Sequence, residues 1–238
     1  MKNGPATFPM CYYYGMKLEV RGLVKVFPAP PFSGGSPVRA LAGVNLDAVP
    51  GVTGIGGANG SGKTTLFRIL AGALAPDGGS VAADGRAAAP EELRRLAALC
   101  PSNPRSFYFR LSAAENLRFF GALAGLSPAE SSGRAASLAA RLNLSAADLA
   151  VRFDRLSEGT MQKVSLIRAF SRRAPVLLLD EPFNGLDGTA CRGLLELIAE
   201  TGRTAAVLVT SHNRELLAAA APRTLRMENG AIRPGGAL

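Results

Sequence analysis

The run Gly57-Ala58-Asn59-Gly60-Ser61-Gly62-Lys63-Thr64-Thr65 constrains this chain more than any other stretch. It fits G-x-x-x-x-G-K-[ST], follows a short apolar-to-glycine run and precedes the helix-forming Leu66-Phe67-Arg68-Ile69-Leu70. Such a run reads as a phosphate-binding loop. The glycines let successive backbone N–H groups turn toward one point, and the helix that begins there adds the positive end of its dipole. Lys63 is placed to reach β- and γ-phosphate oxygens, and the Thr64 hydroxyl to ligate Mg²⁺. The rest of the chain must then supply a carboxylate for that metal, a general base and a group that senses the γ-phosphate.

Composition limits where such a loop can work. At 238 residues the chain can bury a substantial core. Hydrophobic residues make up 47% of it, yet Arg, Asp or Gly breaks every apolar run short of the roughly 20 residues that span a bilayer. Met1 to Tyr14 offers a lysine but no apolar core of a signal peptide, so a cytosolic location is expected. Residues 1–15 are predicted to be a disordered extension, and Met16 is an equally simple start for the chain. Cys11, Cys100 and Cys191 fit neither a disulfide framework nor a metal site and are predicted to stay reduced. A net charge of +9 admits nucleic acid, an anionic membrane face or a polyphosphate as partner. Because the basic residues are scattered and no basic run carries interleaved aromatics, no nucleic-acid partner is expected.

Met16 to Arg21 alternates like a strand and Leu23 to Phe27 continues it, up to a loop rich in Pro and Gly over 28–37. Strand character resumes over Ala40 to Leu46. Phe27 therefore falls at a strand end upstream of the phosphate loop, where its ring is open to two readings, a core phenylalanine or a face for a purine. Pro76-Asp77-Gly78-Gly79 and Ala83-Asp84-Gly85 mark turns around short strands. From Glu91 to Leu149 the composition shifts to Ala, Leu, Arg and Ser with helical spacing, as in Leu93, Leu96 and Ala97, which predicts a helical lobe. Val176 to Leu179 and Ala206 to Val209 are continuous apolar runs, the pattern of central parallel strands, with a crossover helix over Leu194 to Glu200. The fold class is α/β.

Leu177-Leu178-Leu179-Asp180-Glu181-Pro182 ends one of those strands in two carboxylates, at the edge where open α/β sheets bind ligands. Asp180 is expected to hold Mg²⁺, directly or through water, and Glu181 to act as general base on the attacking water. His212 closes the next strand and is the only histidine of the chain. A lone histidine is more often structural than catalytic, but at this strand end it can hydrogen-bond the γ-phosphate and orient the water.

With these residues in order, the sequence resembles the ATP-binding subunit of ABC transporters from Met16 to the C-terminus. Leu156-Ser157-Glu158-Gly159-Thr160, followed by Met161 to Ala169, is similar to that family's signature sequence and its helix. Asn184-Gly185-Leu186-Asp187 matches its D-loop, and Ser112-Ala113-Ala114-Glu115-Asn116-Leu117 the segment beyond its Q-loop. The resemblance implies a P-loop NTPase core with a mainly parallel sheet, an N-terminal antiparallel β subdomain and an α-helical lobe over roughly 100–170, all in one domain over 16–238. It also implies that Ser157 and Gly159 at a helix N-terminus, with Asp187, face a nucleotide held by a partner's loop, so that two copies, or the chain and a homologue, close head to tail on two Mg-ATP. ATP hydrolysis would then drive a separate transmembrane permease, with this chain peripheral on the cytoplasmic face. The alternatives are a soluble ATPase of the same family acting on ribosomes or DNA, and a low-turnover switch.

The chain departs from the family's pattern twice. Pro101-Ser102-Asn103-Pro104 lacks the glutamine that contacts metal and water, leaving Asn103 or Ser102 as substitutes of shorter reach. The run Arg105 to Leu111 that follows is similar to exporters of the ABC-2 branch, and Phe107, Tyr108 and Phe109 are candidates either for permease contact or for core packing. Glu158 stands where the first signature glycine is usual and is expected to point outward, since phosphate would repel its carboxylate.

Overall fold

The computed structural model of the chain describes residues 15–29, 35–104 and 106–234. The extension expected over 1–15 lies outside these residues except for Gly15, as do Cys11, part of the Pro/Gly loop and Arg105.

Two sheets organise the molecule. Strands β1 (Leu18–Phe27), β2 (Val38–Ala48), β4 (Gly78–Ala83) and β5 (Arg86–Ala87) form an antiparallel sheet in the order β2-β1-β4-β5. Strands β3 (Gly51–Gly56), β6 (Ala97–Cys100), β7 (Val176–Leu179), β8 (Ala206–Thr210), β9 (Arg223–Glu228) and β10 (Ala231–Pro234) form the second, ordered β10-β9-β3-β8-β7-β6. All its neighbours run parallel except the β9–β10 hairpin. Helix α1 (Lys63–Leu70) follows β3, and α2 (Pro90–Leu96) precedes β6. A lobe of α3 (Ala113–Leu123), α4 (Pro128–Arg141) and α5 (Ala146–Ala150) leads into α6 (Glu158–Ser171), while α7 (Gly188–Gly202) and α8 (Arg214–Ala220) flank β8. A P-loop core, an antiparallel subdomain and a helical lobe are thus all present.

The apolar runs explain the layering. In β7, Leu177 and Leu179 face a core shared with the lobe and α6, whereas Val176 and Leu178 face a core shared with α1 and the antiparallel sheet. A strand buried on both faces keeps the two-residue period but has no polar side to display, hence the unbroken run. The lobe helices start where serine directs: Ser112, Ser127 and Ser145 each cap a helix and exchange hydrogen bonds with the acid three residues on.

Two expectations need correction. Ala97, placed in a helical pattern with Leu93 and Leu96, begins β6, because α2 ends at Leu96 and the short run Ala97 to Cys100 pairs with β7. A four-residue apolar run does not distinguish helix from strand by period, and the open edge of β7 decides. The crossover helix is also longer than Leu194 to Glu200, because Asp187 caps it at a new start, Gly188.

The last hairpin braces the phosphate loop. β9 lies beside β3, the Met227 carbonyl fills the space a Cβ on Gly57 would need, and Gly230 N–H donates to the Ser61 carbonyl at 3.1 Å.

Candidate active site

The loop between β3 and α1 is built to receive an anion. Gly57 (φ 153°) and Gly62 (φ 109°) take conformations that side chains disfavour, and a Cβ on Gly62 would meet the Ala40 carbonyl. Helix α1 has no side-chain cap and no acid in its first turn, so its N–H groups stay available. Lys63 is buried and donates to the carbonyls of Gly57 (2.7 Å) and Ala58 (3.1 Å). An ammonium has three donors, so these contacts hold the side chain along the loop with capacity left for phosphate. The Ser61 hydroxyl is buried with no hydrogen-bond partner among the described residues. An orphaned hydroxyl inside a loop of this shape fits a polar ligand, and a triphosphate supplies the missing acceptor. A cleft of about 800 Å³ runs along the loop, lined in part by Asn59, Ser61, His212, Arg214 and Arg226.

Strands β7 and β8 bring the carboxylates to the same place. Asp180 is 1% exposed; its Oδ2 accepts from Thr64 Oγ1 at 2.7 Å and its Oδ1 from Thr210 Oγ1 at 2.8 Å. Thr64 and Asp180 together present hard oxygen donors of the kind Mg²⁺ selects, so the residues present fit that ion. Thr210 Oγ1 also accepts from the Glu181 N–H at 2.9 Å, fixing the backbone where Glu181 adopts φ 49°. Glu181 Oε2 then accepts from the His212 N–H at 3.0 Å and lies 2.8 Å from His212 Nδ1. Hydroxyl, carboxylate and imidazole form one connected chain from α1 to the end of β8.

A second group forms around the start of α6. Ser157 caps that helix, accepting from Thr160 N–H at 3.2 Å and sharing a 2.9 Å hydrogen bond with Thr160 Oγ1. When Thr160 is the donor, Ser157 keeps its own proton for an external acceptor. Gly159 packs so closely on the Gly185 carbonyl that a Cβ would overlap it. Asp187 caps α7 through Ala190 N–H at 2.9 Å and pairs with Lys163 at 2.6 Å. Lys163 and the cap hold its carboxyl well below the ordinary range, at about 2. Among the described residues no hydrogen bond or ion pair joins Ser157, Gly159 or Asp187 to the phosphate loop. Glu158 is exposed.

The remaining candidates lie at the margins. Thr65 is half-buried in the first turn of α1. Phe27 is half-buried opposite Val38 on the β1–β2 ribbon, with the Lys25 ammonium 5.8 Å from its ring centre. That ribbon reaches the loop, through Ala40 against Gly62. Asn103 is exposed three residues beyond Cys100, whose carbonyl accepts from Asp180 N–H at 2.9 Å. Among the described residues no hydrogen bond ties Asn103 or Ser102 to Asp180 or Glu181. Phe107 is buried, stacked 4.4 Å from Phe153, while Tyr108 and Phe109 are exposed. Sequence reasoning does not single out Thr210, Lys163 or Met227; the only signal is that Thr210 ends an apolar strand immediately before Ser-His.

The chain is similar to known proteins of one family. Residues 41–184 match the sequence profile of the ABC transporter family. The chain is 33% identical over 205 residues to the ABC transporter ATP-binding protein NatA of Bacillus subtilis, covering 84% of this chain and 83% of that protein. It superposes on a solved structure of an ATP-binding subunit of an ABC transporter with a TM-score of 0.77 at 29% identity, over 93% of this chain and 90% of that one. It shares its fold, at a TM-score of 0.77 and 22% identity over 93% of this chain and 100% of that one, with an ATP-binding cassette solved as a dimer in a post-hydrolysis state bound to ADP and Pi.

Proposed function

The chain belongs to the ABC transporter family, and from that membership we propose how its residues carry out the ATPase reaction of a transporter's ATP-binding subunit. Lys63 and the amides from Gly57 to Thr65 bind the triphosphate, with Ser61 as a further donor and Phe27 against the base. Thr64 and Asp180 would hold Mg²⁺, with Asn103 the candidate for the missing glutamine; the ion would neutralise charge building on the phosphates. Glu181 takes the proton from the attacking water. Thr210 and His212 orient it: the threonine holds its backbone and the histidine its carboxylate. With Nδ1–H donating to Glu181, a neutral His212 ring has no second N–H, so direct donation to the γ-phosphate requires the protonated ring or a turned one. The observation that carries this reading is the unbroken chain Thr64, Asp180, Thr210, Glu181, His212, in which every link is 3.0 Å or shorter.

We further infer that Ser157, Gly159 and Asp187 serve the nucleotide of a second subunit in a head-to-tail dimer. Glu158 at the first position of α6 suits the helix dipole but offsets part of the anion attraction. The exposed Tyr108, Phe109, Phe119 and Leu123, gathered at the lobe, are the proposed dock for a separate membrane permease. No helix among the described residues is long and apolar enough to cross a membrane, so association with the cytoplasmic face would pass through that partner. The likeness of the 105–111 run to ABC-2 exporters favours export. The unit responsible is proposed to be a single cassette over 16–238.

The test pairs turnover with association. Glu181→Gln should bind ATP, lose phosphate release by about 10²- to 10⁴-fold and accumulate as a dimer by light scattering. Unchanged phosphate release in that variant refutes the catalytic assignment, and a monomer at every nucleotide condition counts against the dimer.

A further inference from the structure

Lys163 lies on α6, one turn beyond Gly159, and its side chain is only 10% exposed. Its ammonium donates to Asp187 Oδ2 at 2.6 Å and to the Asn143 carbonyl at 3.2 Å. Three segments therefore meet at one nitrogen: the helix that begins at Ser157, the turn that ends in Asp187, and the lobe turn after α4, where Asn143 takes φ 53°. Two of the three pairs are also joined without the lysine, the second of them through α7. Gly159 packs on the Gly185 carbonyl, and Gly193 of α7 packs on the Arg141 carbonyl so closely that neither glycine has room for a Cβ. Asp187 in turn holds Ala190 N–H at the start of α7.

The pair is asymmetric: the Asp187 side chain is 45% exposed, whereas the lysine is largely buried, so it is the ammonium that needs this carboxylate and the Asn143 carbonyl in place of water. We propose that Lys163 is a positioning residue that locks Ser157 and Asp187 into one rigid half-site, so that a second copy of the chain meets both at once. The inference rests on the head-to-tail reading above. Its physical advantage is pre-organisation: two loops ordered during folding need not be ordered again at association. Among the described residues no hydrogen bond or ion pair joins Lys163 to the phosphate loop of its own chain, so its proposed action is on association.

The experiment uses Glu181→Gln as the parent, with Lys163→Met and Lys163→Arg added to it. ATP-driven association is followed by sedimentation, and ATP affinity by titration of a fluorescent ATP analogue at protein concentrations too low for dimers. Lys163→Met should weaken association by about tenfold or more while the monomer's ATP affinity stays at the parent value, and Lys163→Arg should restore most of the loss by keeping the cation. Should Lys163→Met fail to fold, Lys163→Gln, which keeps the length and a donor but no charge, takes its place. A parent dimer that Lys163→Met leaves untouched overturns this inference alone, as does equal loss in Met and Arg variants. A parent that never dimerises sinks the head-to-tail reading, and this one with it.

Discussion

Thr64 donates its hydroxyl proton to Asp180 over 2.7 Å, across 116 positions of sequence. The bond ties the first turn of α1 to the end of β7 and puts two hard oxygens side by side. It is compatible with metal binding, because the Thr64 oxygen keeps its lone pairs for a cation while its proton goes to Asp180.

Thr64→Val keeps the shape and removes the oxygen. ATP affinity measured with Mg²⁺ should fall by about 10- to 100-fold, whereas affinity in excess EDTA should match the parent. Equal affinities in both conditions would remove Thr64 from the metal site.

Asn103 sits in the exposed loop after β6, where the family's glutamine is missing. If it takes that role, Asn103→Ala lowers phosphate release while ATP affinity, set by Lys63 and the loop amides, stays constant. The expected outcome is a drop in kcat with KM unchanged. A silent substitution would shift the contact to Ser102 or to water.

Phe27 is the residue proposed to meet the base, on the ribbon that reaches the phosphate loop through Ala40, and stacking of a base on an aromatic face is worth about 1 to 3 kcal/mol. Phe27→Ala should weaken ATP binding by at least about fivefold, and Phe27→Tyr should leave it nearly unchanged. The same loss for inorganic triphosphate as for ATP would show that the ring does not touch the base.

Asp187 is depressed to about 2 by Lys163 and the α7 cap. A depressed carboxylate contributes stability that is complete above its unfolded value and is lost as pH falls through the folded one, so the pair's contribution should be complete above about pH 4 and fade between there and about pH 2. Carbon-detected NMR titration should find Asp187 ionised until about pH 2 and returning toward the ordinary range in Lys163→Met.

How much of this was legible in the sequence depended on distance along the chain. The phosphate loop, the carboxylate pair and the signature serine are contiguous motifs, each with its own chemistry, and the apolar runs of β7 and β8 stand out because nothing polar interrupts them. Strand β6 did not stand out: Ala97 to Cys100 is too short for a period and follows a true helix, so only its pairing with β7 defines it. Strand β9 has just Leu225 and Met227 buried between arginines and threonine, a weak alternation. The Lys163–Asp187 pair and the Thr210 bridge are relations between distant segments of ordinary residues, which no local pattern announces. Phe107 illustrates the limit within one motif. It is core, with the Arg168 guanidinium 4.3 Å from its ring centre, while its neighbours Tyr108 and Phe109 are exposed.

The bracing of the phosphate loop by the final hairpin bears on the order in which the protein is made. The loop is translated well over a hundred residues before the carbonyl of Met227 and the N–H of Gly230 that support Gly57 and Ser61. Synthesis runs from the N-terminus, and domains fold as units once their contacts exist. During elongation the loop therefore lacks its support, and a nascent chain whose residues 223–234 are not yet added has the glycines and the lysine without a settled cradle. A nascent chain should therefore gain its nucleotide-binding competence only once residues 223–234 have joined the sheet, by which point the helices that would meet a second subunit have also been made.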